Sequence, residues 1–232
     1  MQTMKIKLID KKISENNEIA YLTFKVSENF DFKAWQFVML DNWNLKRAYS
    51  IASSPSLLKE WKICFYVKKA SENGMSAYLV DKIKIQDELD MMWPFWHMFI
   101  KEQSEEKIYL LISAWSWLWP ILWIYEDLIQ SWKYKNIYNF YQERYFENIV
   151  KDVFEKMVSF EKENVKNFFF LSKWKHLKFQ TWYVEEKLKE VLSKMENKEN
   201  IEAYICWKPT FVDEIESLLK NNWVERVYFE KY

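Results

Sequence analysis

Glycine is almost absent from this chain. It occurs once, at Gly74, whereas average usage of ~7% predicts roughly 16 in a chain of this length. Tryptophan occurs 14 times, so the two residues together come close to the expected glycine content. A soluble chain without glycine has few residues that accept the positive φ angles of tight turns. The excess of tryptophan therefore raises the question of whether tryptophan occupies the positions where a fold needs glycine.

Cysteine and histidine are also scarce. The two cysteines, Cys64 and Cys206, lack CxxC spacing, which excludes a four-cysteine iron–sulfur cluster or zinc ribbon within the chain. Their scarcity indicates a reducing compartment. The two histidines, His97 and His176, have no metal-ligand spacing, and we expect no metal site. The first residues carry no apolar signal core, so we expect a cytoplasmic protein.

Charge is balanced, with a formal net charge of zero and a pI near 6.8. No long basic run is present, so we expect no nucleic-acid partner. One long stretch, from Ile108 to Tyr125, has no charged residue. Its length approaches the ~20 residues of a membrane-spanning helix. The same stretch also fits a short strand, a turn and a helix that begins near Pro120. The first interpretation predicts a membrane span, and the second predicts part of an α/β domain.

The hydrophobic pattern changes along the chain. Residues 1–102 show short alternating strands, turn signals and one short helix after Gly74, which is typical of a β-barrel. Residues 103–232 alternate strands with helices, the pattern of βαβ units. The predicted strands of this second part are 108–113, 136–141, 165–171, 203–206 and 227–229. Its predicted helices are 121–131, 146–162, 184–195 and 210–221.

Six short motifs follow one another along both parts. They are Arg47-Ala48-Tyr49-Ser50, Asn73-Gly74-Met75-Ser76, Trp93-Pro94-Phe95-Trp96, Trp115-Ser116-Trp117-Leu118-Trp119-Pro120, Cys206-Trp207-Lys208-Pro209 and Glu230-Lys231-Tyr232. In this order they resemble the motifs of the ferredoxin–NADP reductase superfamily across nearly the whole chain. The resemblance implies an antiparallel Greek-key β-barrel that binds FAD (1–102), followed by a parallel five-stranded Rossmann-like α/β domain that binds NAD(P) (103–232).

The first two motifs correspond to the flavin site of that family. Arg47 offers a guanidinium fork matched to phosphate oxygens. Tyr49 is expected against the isoalloxazine ring, and Ser50 near flavin N5. Backbone N–H groups that open a helix form an anion site. The resemblance places this site at Gly74, Met75 and Ser76, and adds flavin contacts at Ile51, Val67 and Lys68.

The motif at 115–120 corresponds to the family's glycine-rich nucleotide loop. Such a loop follows a buried strand, opens a helix and lets a pyrophosphate approach the backbone. An indole at Trp115 or Trp117 would block that approach. The resemblance implies nucleotide contacts at Trp115, Ser116, Trp117, Pro120, Arg144, Cys206, Trp207 and Tyr232. A loop with Ser172, Lys173, Lys175 and Lys178 is a candidate for a 2′-phosphate, but NADPH and NADH both stay open.

Hydride transfer from nicotinamide to flavin N5 leaves positioning and electrostatics to the protein. The resemblance implies that Ser50, Cys206, Glu230 and Tyr232 surround the nicotinamide. Tyr232 would stack on the isoalloxazine face until nicotinamide displaces it. Instead of a role at the nicotinamide, Cys206 fits the role of a small buried hydrophobic residue. Instead of a nucleotide contact, Arg144 fits a surface ion pair with Glu143 or Glu147.

Tryptophan replaces glycine at the motif positions of the family. The positions are Trp35, Trp93, Trp96, Trp115, Trp117 and Trp207, with Trp119 where the motif has a small residue. Trp43, Trp61, Trp182 and Trp223 fall at turns, and Trp123, Trp132 and Trp174 are compatible with glycine. The hypothesis is that all 14 are UGA codons, which some bacterial lineages translate as glycine.

The sequence thus predicts a monomeric NAD(P)H oxidoreductase that carries electrons through FAD to a ferredoxin- or flavodoxin-like carrier, with no membrane partner. One alternative is an NAD(P)H:flavin reductase or the reductase component of an oxygenase. If the tryptophans are real, a membrane-anchored or non-catalytic binding protein is the alternative from another class.

Overall fold

The computed structural model describes residues 2–14, 17–27, 30–32, 36–53, 60–95, 100, 102–114, 118–145, 149, 151–173 and 183–231. The chain divides into two compact units, Met1–His97 and Met98–Tyr232. The first unit is a sheet of antiparallel strands, and the second is a parallel sheet with helices. The predicted two-part architecture is confirmed.

The described residues of the first unit form six strands and one short helix. The strands are β1 (Gln2–Ile13), β2 (Ile19–Lys25), β3 (Phe37–Asp41), β4 (Lys46–Ser50), β5 (Lys62–Lys68) and β6 (Glu88–Phe95). They pair in the order β4-β3-β6-β1-β2-β5. Helix α1 (Met75–Ala77) continues as a π-helical turn, Tyr78–Lys82. The sheet curls into a barrel because alternate side chains, such as Leu22 and Phe24 on β2, are fully buried in one core.

The chain after β4 joins the two ends of this sheet. Ala52 N–H donates a hydrogen bond to the carbonyl of Cys64 on β5 at 2.8 Å. Cys64 N–H in turn donates to Ser53 Oγ at 3.0 Å. These bonds tie the end of edge strand β4 to edge strand β5, so the barrel is nearly closed and β4 has a fixed position.

In the second unit, five parallel strands and four helices lie within the part of the chain that the structure describes. The strands are β7 (Ile108–Ala114), β8 (Asn136–Glu143), β9 (Val165–Leu171), β10 (Ile201–Trp207) and β11 (Arg226–Lys231). The helices are α2 (Leu118–Ser131), α3 (Lys151–Ser159), α4 (Val184–Ser193) and α5 (Pro209–Asn221), with a 3₁₀ turn at Lys198–Asn200. The order β11-β10-β7-β8-β9 changes direction between β7 and β10. In open α/β sheets this switch point is where ligands bind, beyond the carboxyl ends of the strands.

The uncharged stretch from Ile108 to Tyr125 is a strand followed by the first half of a helix. Every residue of β7 is buried, as expected for a central parallel strand covered on both faces. Within the described residues, no helix is long and apolar enough to cross a membrane. The described residues of the run form buried strand β7 and the buried first part of α2.

Helix α2 begins at Leu118, three residues before the predicted start. Pro120 lies in its first turn, where a missing N–H costs no intrahelical bond. Helix α3 (Lys151–Ser159) ends three residues before the predicted end at 162, because helix ends are the least specified part of a periodic pattern.

Candidate functional site

Strand β4 carries the candidate flavin residues of the barrel unit. Its register places Tyr49 opposite Val38 and Arg47 opposite Leu40, with Ser50 opposite Phe37. Directly opposite residues share a face and neighbours along a strand alternate. Arg47 and Tyr49 therefore share one face, and Ser50 belongs to the other. Arg47 is exposed, whereas Tyr49 and Ser50 are half-buried.

The Tyr49 hydroxyl is buried and has no hydrogen-bond partner in the described part of the chain. Its ring packs against the barrel core. Burial raises the pKa of Tyr49 above its usual value, and the nearby Arg47 charge offsets only part of the shift. A buried phenol without a partner carries a desolvation penalty. An acceptor group of a ligand on this face would remove that penalty.

Gly74 opens α1 with φ of 106°, a backbone conformation that only glycine adopts at little cost. Tyr78 N–H donates to the Gly74 carbonyl at 3.0 Å and starts the helical turn. Ser76 Oγ accepts the Ala70 N–H at 3.2 Å, which pins the preceding loop to the helix start. A side chain at 74 would meet no heavy atom closer than Ser71 Oγ at 4.0 Å. The strained φ angle, rather than a lack of space, therefore selects glycine here.

The remaining barrel candidates differ in access. Ile51 and Val67 are 1% exposed and belong to the core, so mainly their backbone atoms are left for a ligand. Met75 is 3% exposed and also packs in the core. Lys68, at the end of β5, is half-buried.

In the second unit, the carboxyl ends of three strands align three polar side chains. The register pairs Cys206 of β10 with Ser113 of β7 on one side and with Glu230 of β11 on the other. Cys206 is fully buried and Glu230 is 4% exposed. Burial raises the pKa of the Cys206 thiol well above its usual value, and the charge of Glu230 raises it further. Cys206 is thus a neutral thiol beside a carboxyl group.

Ser113 was not selected from the sequence. Its Oγ is fully buried and has no hydrogen-bond partner in the described residues. It lies at the switch point between β7 and β10, two residues before the nucleotide loop motif. No sequence motif includes Ser113, and only the register of β7 with β10 places it beside Cys206.

Arg144 and Lys173 come together at the ends of β8 and β9. Lys173 N–H donates to the Arg144 carbonyl at 3.2 Å, and Ser172 N–H donates to the Glu143 carbonyl at 2.9 Å. The sequence placed Ser172 and Lys173 in a candidate loop without a partner strand. The structure places this part of the loop beside Arg144, while Lys175 and Lys178 lie outside the described residues.

Glu143 lies where dinucleotide-binding folds place an acidic residue that contacts the ribose 2′-hydroxyl. Its side chain is 2% exposed. One carboxylate oxygen accepts the Arg144 backbone N–H at 2.7 Å, and the other accepts the Tyr141 hydroxyl at 3.5 Å. The carboxylate is therefore turned into the domain and bound to its own strand.

Two further nucleotide candidates lie near this edge. Trp207 is buried, and its ring stacks on Phe211 of α5 with centroids 3.8 Å apart. Pro120 is buried in the first turn of α2. The predicted sites at Trp115, Ser116, Trp117 and Tyr232 lie outside the described residues.

No family model and no curated protein matches the sequence. Solved structures do match. A ferredoxin NADP+ reductase from Neisseria gonorrhoeae, with bound FAD and NADP, has a TM-score of 0.83 and 15% identity over 100% of this chain and 99% of its own. A Plasmodium falciparum ferredoxin-NADP+ reductase with 2'P-AMP has a TM-score of 0.75 and 17% identity over 99% of this chain and 96% of its own.

A ferredoxin reductase of carbazole 1,9a-dioxygenase has a TM-score of 0.78 and 16% identity, over 99% of this chain and 69% of its own. Similarity at this level of identity establishes the fold. The chain has the two-domain fold of the ferredoxin–NADP reductase superfamily.

Proposed function

We propose that the chain is an FAD-dependent NAD(P)H oxidoreductase, with FAD on residues 1–102 and the nicotinamide nucleotide on residues 103–232. The observation that carries the proposal is the row of Ser113, Cys206 and Glu230 at the switch point of the parallel sheet. This is the position where such a sheet binds a nucleotide. Bound FAD would accept a hydride from the nicotinamide and release electrons to an acceptor.

The barrel residues fit FAD. Arg47 presents an exposed cation for the pyrophosphate, and the buried Tyr49 hydroxyl lacks a protein partner in the described residues. Arg47 and Tyr49 share one face of β4. The guanidinium neutralises phosphate charge, and the phenol donates a hydrogen bond to an acceptor on the cofactor. Ser50, at the end of the strand, supplies a hydroxyl for flavin N5.

In the second unit, Cys206 and Glu230 form the floor of the nicotinamide site. The thiol is neutral because of its burial and its carboxyl neighbour, so it acts as a packing surface and not as a nucleophile. Glu230 is held opposite it by the β10–β11 register, where it orients the nicotinamide and exchanges protons. Tyr232 follows two residues later and is proposed to stack on the flavin.

We further propose that the preferred nucleotide is NADPH. Arg144 and Lys173 bring two cations to adjacent strand ends, and Ser172 adds a hydroxyl. Glu143, the residue that would accept a ribose 2′-hydroxyl, is buried and bound to the Arg144 N–H and the Tyr141 hydroxyl. A cationic edge with a withdrawn carboxylate suits a 2′-phosphate better than a 2′-hydroxyl.

The proposed acceptor is a one-electron carrier such as ferredoxin or flavodoxin. The chain has two cysteines, and both are buried free thiols. An iron–sulfur cluster needs four ligands such as Cys thiolates, so the cluster of an iron–sulfur acceptor would lie outside residues 1–232.

The test is the anaerobic reduction of the protein purified from its natural source. We expect yellow protein whose flavin absorbance is bleached by NADPH and restored by oxidised ferredoxin or flavodoxin. Colourless protein that binds no added FAD would overturn the proposal. Bleaching by NADPH, with electrons passed only to free flavin, would instead identify a flavin reductase.

A further inference from the structure

Half of the described tryptophans adopt a backbone conformation that suits glycine. The six described non-glycine residues with positive φ include Trp43 at 76°, Trp61 at 56°, Trp132 at 57° and Trp223 at 64°. The other two are Asn17 and Gln86. Bulky residues at positive φ are outliers, because the Cβ atom crowds the following carbonyl oxygen. Four at turns of one small protein need a common explanation.

Trp223 occupies the glycine position of a Schellman motif. Helix α5 ends at Asn221 with Asn222 as its C-cap, so Trp223 is the next residue, C′. Val224 N–H donates to the Leu219 carbonyl at 3.0 Å, and Trp223 N–H donates to the Lys220 carbonyl at 3.0 Å. These are the two bonds of the motif, whose C′ residue is usually glycine. The Trp223 side chain is 79% exposed, so packing does not explain an indole there.

Trp132 occupies the corresponding position after α2. Its N–H donates to the Leu128 carbonyl at 3.2 Å, the single bond of the αL motif, which also favours glycine at C′. The side chain is 68% exposed. Lys162 Nζ lies 3.5 Å from its ring centroid, but an exposed cation–π contact is a weak reason for an indole at positive φ.

Trp43 and Trp61 lie in turns of the barrel. Trp43 is in the turn between β3 and β4, where its N–H donates to Asp41 Oδ1 at 2.6 Å. It is 77% exposed. Trp61 immediately precedes β5, and its carbonyl accepts the Val26 N–H at 2.9 Å. The Trp43 indole also donates to Asp90 Oδ2 at 2.7 Å, a bond on the exposed surface. The bonds that hold each turn are made by the backbone of Trp43 and Trp61, so a residue without a side chain would keep them.

We infer that the natural protein carries glycine at positions 43, 61, 132 and 223, where the printed sequence has tryptophan. Two helix caps and two turns require the same substitution independently. A codon read as glycine in the source organism explains all four at once, and the same codon at the remaining positions makes all 14 tryptophans glycine. At 115 and 117, glycine would let a pyrophosphate approach the backbone.

The other described tryptophans adopt ordinary φ angles. They are Trp93, Trp119, Trp123 and Trp207, and all are buried. Backbone geometry therefore carries the inference at four positions, and the shared codon extends it to the rest.

The first test uses the protein from its natural source. A tryptic digest should yield the peptide of residues 221–226, whose fragment masses identify residue 223. Glycine there, with UGA codons at the four positions, supports the inference, whereas tryptophan or UGG overturns it. The intact natural protein should also lack indole fluorescence, and indole emission would overturn the extension to all 14 positions.

The second test measures the backbone preference in the chain as printed. Trp223→Gly and Trp223→Ala both remove the indole, but only glycine relieves the positive φ. We expect the melting temperature of the glycine variant to exceed that of the alanine variant by about 2–4 °C.

Ser217, an exposed residue inside α5, is the matched control. There the order should reverse, because glycine is the poorer helix former. An alanine variant at 223 as stable as the glycine variant would overturn the inference.

Discussion

Edge strand β4 in the barrel and the carboxyl edge of β7 and β10 in the α/β unit each carry a set of candidate site residues. On β4, Arg47 is exposed and Tyr49 is half-buried. On the parallel strands, Ser113 and Cys206 are fully buried. The difference shows that the candidate residues of β4 are more exposed than those of the α/β unit, which belong to its core.

The cause is the position of each strand in its sheet. Strand β4 is at one end of the barrel sheet, where its ladder within the described residues is with β3 and the bonds to β5 come from the backbone after its end. Strand β7 lies in the centre of a parallel sheet, with both faces covered. Substitutions on β4 should therefore change binding with little effect on stability, and substitutions beside β7 should change both.

The largest effect should come from the core beneath the parallel edge. Phe140 of β8 is fully buried, with its ring 5.0 Å from that of Phe168. Phe140→Ala should lower the free energy of unfolding by about 3–5 kcal/mol, because it removes apolar burial and leaves a cavity. Urea unfolding monitored by circular dichroism would measure it. A decrease in unfolding free energy of less than about 1 kcal/mol would show that this core is not tightly packed.

The second-largest effect should be a loss of FAD affinity on β4 without a loss of stability. Arg47→Ala should weaken FAD binding roughly 10- to 150-fold, the equivalent of about 1.5–3 kcal/mol for a hydrogen-bonded charge. Its unfolding free energy should stay within about 0.5 kcal/mol of the parent, as for other exposed substitutions. Flavin fluorescence titration and urea unfolding of the apoprotein measure the two quantities.

Lys46→Ala is the control for Arg47, because it removes the same charge from the neighbouring position on the opposite face of β4. It should leave FAD affinity nearly unchanged. Equal losses of FAD affinity in both variants would show that Arg47 acts through its general positive charge and makes no specific contact.

A smaller effect should follow at the ends of β8 and β9. Arg144→Ala should raise the KM for NADPH about tenfold and leave that for NADH unchanged, since an exposed cation contributes about 1.4 kcal/mol to phosphate binding. Steady-state kinetics with both nucleotides measure the ratio. Lys166→Ala, on β9 near the start of that strand, is the control. A parallel loss for NADH would place Arg144 on a phosphate shared by both nucleotides.

The smallest effect should be the alkylation of the buried Cys206 thiol in the folded protein. Burial, and then the Glu230 charge, raise the pKa of its thiol, so the neutral form persists well above neutral pH and the reactive thiolate is scarce. Iodoacetamide at pH 8 should leave Cys206 unmodified in the folded protein and alkylate it after unfolding in urea. Rapid labelling of the folded protein, detected by peptide mass spectrometry, would show that the edge is open to solvent.

Periodicity was sufficient to predict the elements that have strong patterns. The strand predicted at 165–171 is β9 residue for residue, and the one at 108–113 differs from β7 by a single residue. The motif Arg47-Ala48-Tyr49-Ser50 falls on a strand, and Gly74 opens a helix, as expected. These features depend on residues close in sequence, so local patterns contain them.

Features that depend on register were beyond the sequence. Ser113 becomes a candidate only because β7 pairs with β10 and places it beside Cys206. Lys173 and Arg144 are separate candidates in the sequence, and only the adjacent ends of β8 and β9 bring them together across 29 positions. The withdrawn position of Glu143 likewise depends on its side-chain hydrogen bonds.

The sequence by itself determined the class of fold, the order of the motifs and the conflict between tryptophan and glycine, because composition and periodicity are properties of the chain. Tertiary structure decided which strand ends meet, which side chains are buried and which tryptophans have positive φ. Strand pairing depends on contacts between residues far apart in sequence. Helix capping depends on the backbone angles of a single turn, and neither can be read from composition or periodicity.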